Sequence, residues 1–497
     1  MIISYVLPFD VTQVPIPVDT DKDFVKITIN TSGYIESNKF LVSLWNQVNT
    51  HICPDHCKDR APWAYFPGKF TGKKSSVSVL GFCRTNIGDL YFALEYRKRG
   101  DIDTLLVMRP TSKFNNEEIE KIRFLINTAI DNIDKTQRYL CEANILIKLQ
   151  NVYFAKYSAD NFCITKNDKG SAINFYVNAI DKFEAEQLAY ERLYEICAVL
   201  TIETNTYCSF EEFSVEANKL LPANQIVCEF IDDYIDYYPT NDSSEICISQ
   251  YAYKFINEKI LTIGRFEKRN EIEKFFISAC KHIQIGLESE LKNGDIAVTA
   301  MPFTTLGLVK REQRYKEEHI TSALMSYLSA IECTTAANTN KEICKECGAN
   351  IYKIASRVRD LSTEFLGDNL GRVFHKLYAY RSKFLHTGRM ASDANVVRTI
   401  PLLSESSATG VKEYGNIAIK IDGNICSFHV SNVREWTTYI LRCYYQKYIL
   451  GRTLFANVFN DRQKITTKDL PIKICAISPE GSEYMKKIFK KNTEIKS

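Results

Sequence analysis

The stretch Lys376-Leu-Tyr-Ala-Tyr-Arg-Ser-Lys-Phe-Leu-His-Thr-Gly388 decides the reading of the C-terminal third of the chain. Together with Val373 it places Leu377 and Phe384 on one stripe, so residues 369–386 read as a helix that turns these three side chains inward. Thr387-Gly388 supplies the stop, because glycine enters the left-handed conformation that commonly ends a helix.

Working outward, the same spacing recurs. Ile320, Leu324, Leu328 and Ile331 mark a helix over 312–332; Ile351, Ile354, Val358, Leu361 and Phe365 mark another over 350–366. A fourth, over 432–449, carries Val433, Trp436, Ile440 and Cys443. Each helix has one apolar face to cover, and a four-helix bundle covers all four. Between the third and fourth, Ile417-Ala-Ile-Lys-Ile-Asp-Gly-Asn-Ile-Cys426 reads as a β-hairpin inserted into the bundle.

Toward the N-terminus the pattern changes. Phe24–Ile29 and Asp89–Tyr96 alternate as strands do, with an apolar-faced helix near 40–49 between them. Ile119, Ile122, Leu125, Ile126 and Ile130 predict a helix running from Asn116 to about Tyr139, with Asn115 as its cap. Ala172–Val177 reads as a strand and 183–201 as a helix, and helices are expected at 245–262 and 269–288 before the turn Lys292-Asn-Gly-Asp295. The expected fold class is α+β: a mixed α/β N-terminal region followed by an all-α four-helix bundle with a β-hairpin insertion. The expected divisions are 1–140, a β-containing domain; 141–304, a mixed α/β to helical middle; 305–455, the bundle; and 456–497, a C-terminal extension.

At 497 residues several folding units are expected, and 45% hydrophobic with 25% charged residues is the make-up of a chain that folds. The net charge of +3 is small for this length, so attraction to a polyanion has to come from local clusters of Lys and Arg. Arg357, Arg359, Arg372, Lys376, Lys383 and Arg389 are candidates for such a set around the third bundle helix, and Lys486–Lys491 for a second, with solvated helix faces as the favoured competing reading of both. The N-terminus lacks the basic leader and cleavage site of an export signal, and no run of about 18 apolar residues occurs. These features point to a cytoplasmic protein without a membrane span. No phosphate-cradling glycine loop or Gly-x-Ser-x-Gly elbow is present, which disfavours a nucleotide hydrolase or serine esterase.

Sixteen cysteines are spread along the chain without a compact disulfide framework, and most are expected as buried thiols. Cys344-Lys-Glu-Cys347-Gly348 is the exception, because two thiolates converge there while glycine relieves the turn, as in half of a structural zinc site. Cys333 is the candidate third ligand; Cys426, Cys443 and His375 are spatial possibilities for a fourth, and reduced thiols are the competing reading. His51-Ile-Cys-Pro-Asp-His-Cys57 offers up to four potential metal ligands in seven residues, yet its proline and short spacing favour a turn with partly buried thiols.

The segment Lys376–Gly388 also resembles the R-x4-6-H signature of HEPN domains, through Arg381 and His386. The nearest branch is similar to the Apea-like HEPN proteins of bacterial abortive infection, in which a preceding helix runs into an arginine-containing segment like Ile351-Tyr-Lys-Ile-Ala-Ser-Arg-Val358. The resemblance covers roughly residues 305–450. Arg314-Tyr-Lys-Glu-Glu-His319 satisfies the same spacing but begins its helix among acidic neighbours and lacks the following glycine, so it reads as a decoy.

The resemblance implies metal-independent cleavage of host or phage RNA in anti-phage defence, with no cofactor for catalysis, by attack of the ribose 2′-hydroxyl on the adjacent phosphate. It further implies a homodimer through the bundle, composing one site from two motifs, and an N-terminal region that senses a phage-derived trigger or restrains the nuclease. His386 would be the general acid–base, since histidine titrates near neutral pH, and Arg381 would hold the phosphate with its planar fork. Ser382 stands where the family often has Asn, Asp or His; Ser382, Lys383 and Tyr378 are the assisting, RNA-binding candidates. Five helical positions turn about 140°, so Arg381 and His386 do not stack on one face, which favours a composite site. The competing expectation is a non-catalytic HEPN scaffold that dimerises and binds RNA or protein.

Overall fold

The computed structural model describes residues 25–53, 76–96, 100–109, 113–148, 152–168, 170–222, 229–232, 239–241, 243, 245–264, 269–294, 306–336, 342–343, 350–351, 353–387, 416–421 and 424–453. Over these the chain is α+β, and its sheets are antiparallel. Two apolar cores organise it.

The first core lies under a four-stranded sheet. Strand β1 (Val25–Thr28) is followed by helix α1 (Gly33–His51), β2 (Ser76–Thr85), β3 (Gly88–Tyr96), β4 (Thr104–Met108) and α2 (Asn116–Asp131), with strand order β1-β4-β3-β2. Phe40, Leu44 and Val48 from α1 and Ile122, Leu125 and Ile126 from α2 meet Leu90, Phe92 and Leu94 of β3. Helix α2 begins in a full capping box: Glu118 N–H donates to Asn115 Oδ1 at 2.8 Å and Asn115 N–H donates to Glu118 Oε2 at 2.9 Å. The cap is the expected one, but the helix ends at Asp131 rather than near Tyr139. Tyr139 belongs instead to β5 (Gln137–Ile147), where alternate Tyr139, Cys141 and Ala143 are buried; strand burial overrides the helical pattern there.

The second core runs from Tyr139 to Tyr445 without a break. Strands β5, β6 (Tyr157–Ser158), β7 (Phe162–Asn167), β8 (Gly170–Ala179) and β9 (Cys208–Ala217) form a five-stranded sheet in the order β6-β7-β8-β5-β9. Helix α3 (Lys182–Thr204) separates β8 from β9 and is buried on all sides from Ile196 to Thr204, which makes it the central rod of the molecule. Next come α4 (Gln250–Phe255), prolonged by a π-helical turn over Ile256–Ile260, then α5 (Glu271–Gly294) and α6 (Leu306–Ala336).

Helix α5 lies against both α3 and α6, so the layer that covers the sheet and the helices expected as a bundle share one interior. A short ribbon of β10 (Glu342–Ile343) and β11 (Asn350–Ile351) follows; the Cys344–Cys347 segment between them lies outside the described residues. Helices α7 (Ile354–Leu366) and α8 (Asp368–Thr387) form a tight pair, joined at Gly367 with φ 86°, a value that glycine tolerates. Strands β12 (Asn416–Ile421) and β13 (Asn424–His429) pair as the expected hairpin, and α9 (Val430–Tyr448) returns against α6 and α3.

Among the described residues, no helix is long and apolar enough to cross a membrane. His56 and Cys57 lie outside them, as do Arg389 and residues 456–497.

Candidate functional site

Helix α8 buries Leu370, Val373, Phe374, Leu377 and Tyr378, successive positions of one helical stripe. Arg381 continues that stripe by one turn, which carries a cation to the margin of the core. Its Nη1 lies 2.7 Å from Glu332 Oε2 on α6, with the two side chains 15% and 26% exposed. Arg381 Nε donates to Ser329 Oγ at 3.2 Å, one turn before Glu332, and Nη1 donates to the Tyr378 hydroxyl at 3.4 Å. The guanidinium also stands 5.4 Å from the Tyr378 ring centroid. The arginine is therefore clamped between α6 and its own helix.

A third helix completes the cluster. His282 on α5 is half-buried, and burial pushes its imidazole below the ordinary value; the Arg381 cation acts in the same direction and Glu332 opposes it. One turn earlier, Ser278 Oγ lies 3.9 Å from Cys333 Sγ, and burial pushes that thiol up. The Tyr378 phenol is also pushed up, first by burial, then by the Glu332 carboxylate, with Arg381 and Arg357 opposing. Ser278, His282, Ser329, Glu332, Cys333, Tyr378 and Arg381 thus converge from α5, α6 and α8. His282 and Glu332 were not among the candidates singled out in the sequence. The signal was faint: Ser278 and His282 are polar residues four apart that border the apolar run Ile277, Cys280, Ile283.

His386 is not in this cluster. It is exposed on the last turn of α8, and among the described residues it has no hydrogen bond or ion pair. Arg381 faces inward and His386 outward, as five helical steps dictate. Ser382 is half-buried between them, and the Lys383 side chain lies outside the described residues. Of the surrounding cations, Arg372 and Lys376 are exposed one turn apart on α8, Arg359 pairs with Asp360 at 2.9 Å, and Arg357 donates to the Thr335 carbonyl at 3.3 Å. Among the described residues no group of three or more His, Cys, Asp or Glu side chains is arranged to hold a metal. Cys344 and Cys347 lie outside that statement.

Chemically, the cluster offers a fixed cation, a carboxylate that neutralises it, and a neutral imidazole and thiol beside it. The open face of α8 adds a second, solvated imidazole. Compared with family models, curated proteins and solved structures, the chain matches none, so its chemistry rests on its own residues.

Proposed function

We propose that this chain is a metal-independent endoribonuclease of the HEPN type, acting on host or phage RNA in anti-phage defence and restrained until a phage-derived trigger arrives. The observation that supports it is the pairing, at one helix end, of a clamped cation, Arg381, with an exposed histidine, His386. In this reading His386 exchanges the proton of the attacking 2′-hydroxyl or of the departing 5′-oxygen, and Arg381 offsets the charge that builds on the phosphate. The two face different sides of one helix, so a homodimer would compose the site from both copies. Arg372 and Lys376 would steady the RNA backbone. The 2.7 Å contact with Glu332 is then a latch, which must open before the guanidinium can reach a phosphate. The reading places the protein in the cytoplasm.

The same contact favours a second reading. A guanidinium already satisfied by Glu332, Ser329 and Tyr378 is what a structural clamp requires, and a HEPN scaffold that dimerises and binds RNA or protein without cutting would keep it. A structural zinc held by Cys344, Cys347 and Cys333 belongs to either reading; Cys333 would have to release Ser278 to join it. Elemental analysis of protein prepared without chelators tests the metal, and absence of zinc would remove it.

The deciding experiment induces the parent and His386→Ala proteins at matched levels, with and without phage, and follows growth and total-RNA integrity. Growth arrest with fragmented RNA in the parent alone supports the nuclease. Intact RNA in both under challenge supports the scaffold.

A further inference from the structure

Strand β9, at the edge of the five-stranded sheet, is not regular. Phe213 faces Ala143 and Phe210 faces Ile145, so three steps along β9 match two along β5, and Glu211-Glu212 form a bulge. Regular alternation would send residues three apart to opposite faces; the bulge brings Phe210 and Phe213 to the same one. Over that face stand Tyr190 and Tyr194, one turn apart on α3. The ring of Tyr190 lies 5.6 Å from Phe210, 6.4 Å from Phe213 and 5.8 Å from Tyr194, and Tyr194 lies 6.2 Å from Phe210. The planes are tilted or edge-on rather than stacked, so the rings wall an open concavity of about 990 Å³. Tyr190 and Tyr194 remain 50% and 45% exposed although their rings already touch aromatic neighbours.

The charged groups at the rim of the rings are acidic, beside the hydroxyls of Ser209 and the tyrosines. Glu211 and Glu212 are exposed, and among the described residues neither forms an ion pair. Gln284 lines the concavity at only 8% exposure; its Nε2 donates to the Cys208 carbonyl at 2.7 Å, and its Oε1 has no hydrogen-bond partner among the described residues. Glu288 lies close enough to Tyr207, which also lines the concavity, to help burial push that phenol up. Carboxylates, an amide oxygen and the negative faces of aromatic rings all seek positive charge and donated hydrogens. A nucleotide could stack on the rings, but its phosphate would meet the carboxylates.

We propose that the concavity formed by Tyr190, Tyr194, Phe210 and Phe213, rimmed by Glu211 and Glu212, binds an organic cation, a guanidinium or alkylammonium group. Such a group carries donors and no acceptors, and a face-on approach to several rings adds cation–π attraction to the carboxylate field. The site uses none of the residues of the proposed nuclease and stands apart from that reading.

The test is calorimetric titration of the full-length protein with N-acetyl-arginine amide, with a short peptide bearing one central arginine, and with two controls, N-acetyl-citrulline amide and adenosine monophosphate. The arginine amide is expected to bind and the isosteric, neutral citrulline amide to give no heat at the same concentrations. Tyr190→Ala should weaken binding by about fivefold or more, a size typical of a partly desolvated cation–π contact, and Glu211→Gln with Glu212→Gln should weaken it by a similar factor through the lost charge attraction. Tyr190→Phe keeps the ring and should bind within about twofold of the parent, which guards against loss of fold as the cause. A peptide that binds well above the free amide identifies a side chain of a protein partner; equal affinity identifies a free small cation, and both support the site. Citrulline amide binding as well as arginine amide, adenosine monophosphate binding in preference to it, or no binding by the folded parent would overturn the proposal.

Discussion

The guanidinium of Arg381 meets the carboxylate of Glu332 at 2.7 Å across the α6–α8 interface, with both side chains mostly shielded from water but still reached by it. A contact of this kind holds two helices in register while remaining open to exchange for another anion, such as a phosphate. Stability and function can therefore be separated at this pair.

If the pair is a latch, Glu332→Gln should free the guanidinium, and cleavage of a labelled RNA in the presence of EDTA should rise several-fold over the parent. Arg381→Ala should abolish cleavage. Glu332→Gln is expected to cost about 1 kcal/mol of stability, and Arg381→Ala more, because it also loses the hydrogen bonds to Ser329 and Tyr378. Glu332→Gln with parental RNA binding and cleavage would make the contact a structural clamp.

Helices α5 and α6 approach closely at Gly286. A Cβ built there would stand 2.8 Å from Cδ1 of Tyr327, whose hydroxyl donates to Glu290 Oε2 at 2.6 Å, while Arg434 Nη1 donates to Glu290 Oε1 at 2.8 Å. Displacing the ring therefore also disturbs a partly buried three-residue network. Gly286→Ala is expected to destabilise by about 1–3 kcal/mol in urea unfolding. In a Tyr327→Ala background the same change should cost far less, because the clash is gone.

Much of this architecture was legible because burial and periodicity agree. Leu370, Val373, Leu377 and Tyr378 repeat at helical spacing, and Asn115 with Glu118 spells a capping box that forms as written. The helix expected to reach Tyr139 was misjudged because the residues before that tyrosine carry no strong stop, and the strand that begins at Gln137 is defined by pairing with Gly170–Ala179 and, from Tyr139 on, with Cys208–Ala217, segments distant in the sequence. The surroundings of Arg381 were hidden for a similar reason. Its partner Glu332 is one of many acidic residues on helices, and His282 enters only because α5, which was not among the four helices expected as a bundle, packs against α6. The bulge that gathers Phe210 and Phe213 depends on the register between two strands, which a sequence does not print.

A second buried junction ties the central helix to the C-terminal one. Glu203 accepts hydrogen bonds from Tyr445 Oη at 2.8 Å and from Ser249 Oγ at 2.8 Å, and Arg442 stands close by, donating to the Ile202 carbonyl at 2.8 Å. Burial nonetheless pushes the Glu203 carboxyl up. Removing the acceptor strands several donors at once, so Glu203→Ala should cost about 3–5 kcal/mol, whereas Tyr445→Phe, which deletes one bond, should cost about 1 kcal/mol. Chemical denaturation of the two variants checks the ratio, and equal costs would show that the junction is not organised around the carboxylate.

The burial of His282 makes a prediction about pH. Because its folded-state value lies below the unfolded value of 6.5, the unfolded chain takes up a proton first as the pH falls. Stability contributed by this residue is therefore complete above about pH 6.5, declines as the pH drops through that value, and stops declining below the folded-state value. The Arg381 cation reinforces the effect and Glu332 reduces it, so Glu332→Gln should steepen the decline and His282→Gln should flatten it. Urea unfolding of the parent and both variants at pH 7.5 and pH 5.5 reads the difference, with the other titrating groups cancelling between parent and variant. An unchanged slope in His282→Gln would mean that the imidazole is hydrated in the folded protein, and the convergence of α5 on Arg381 would lose its support.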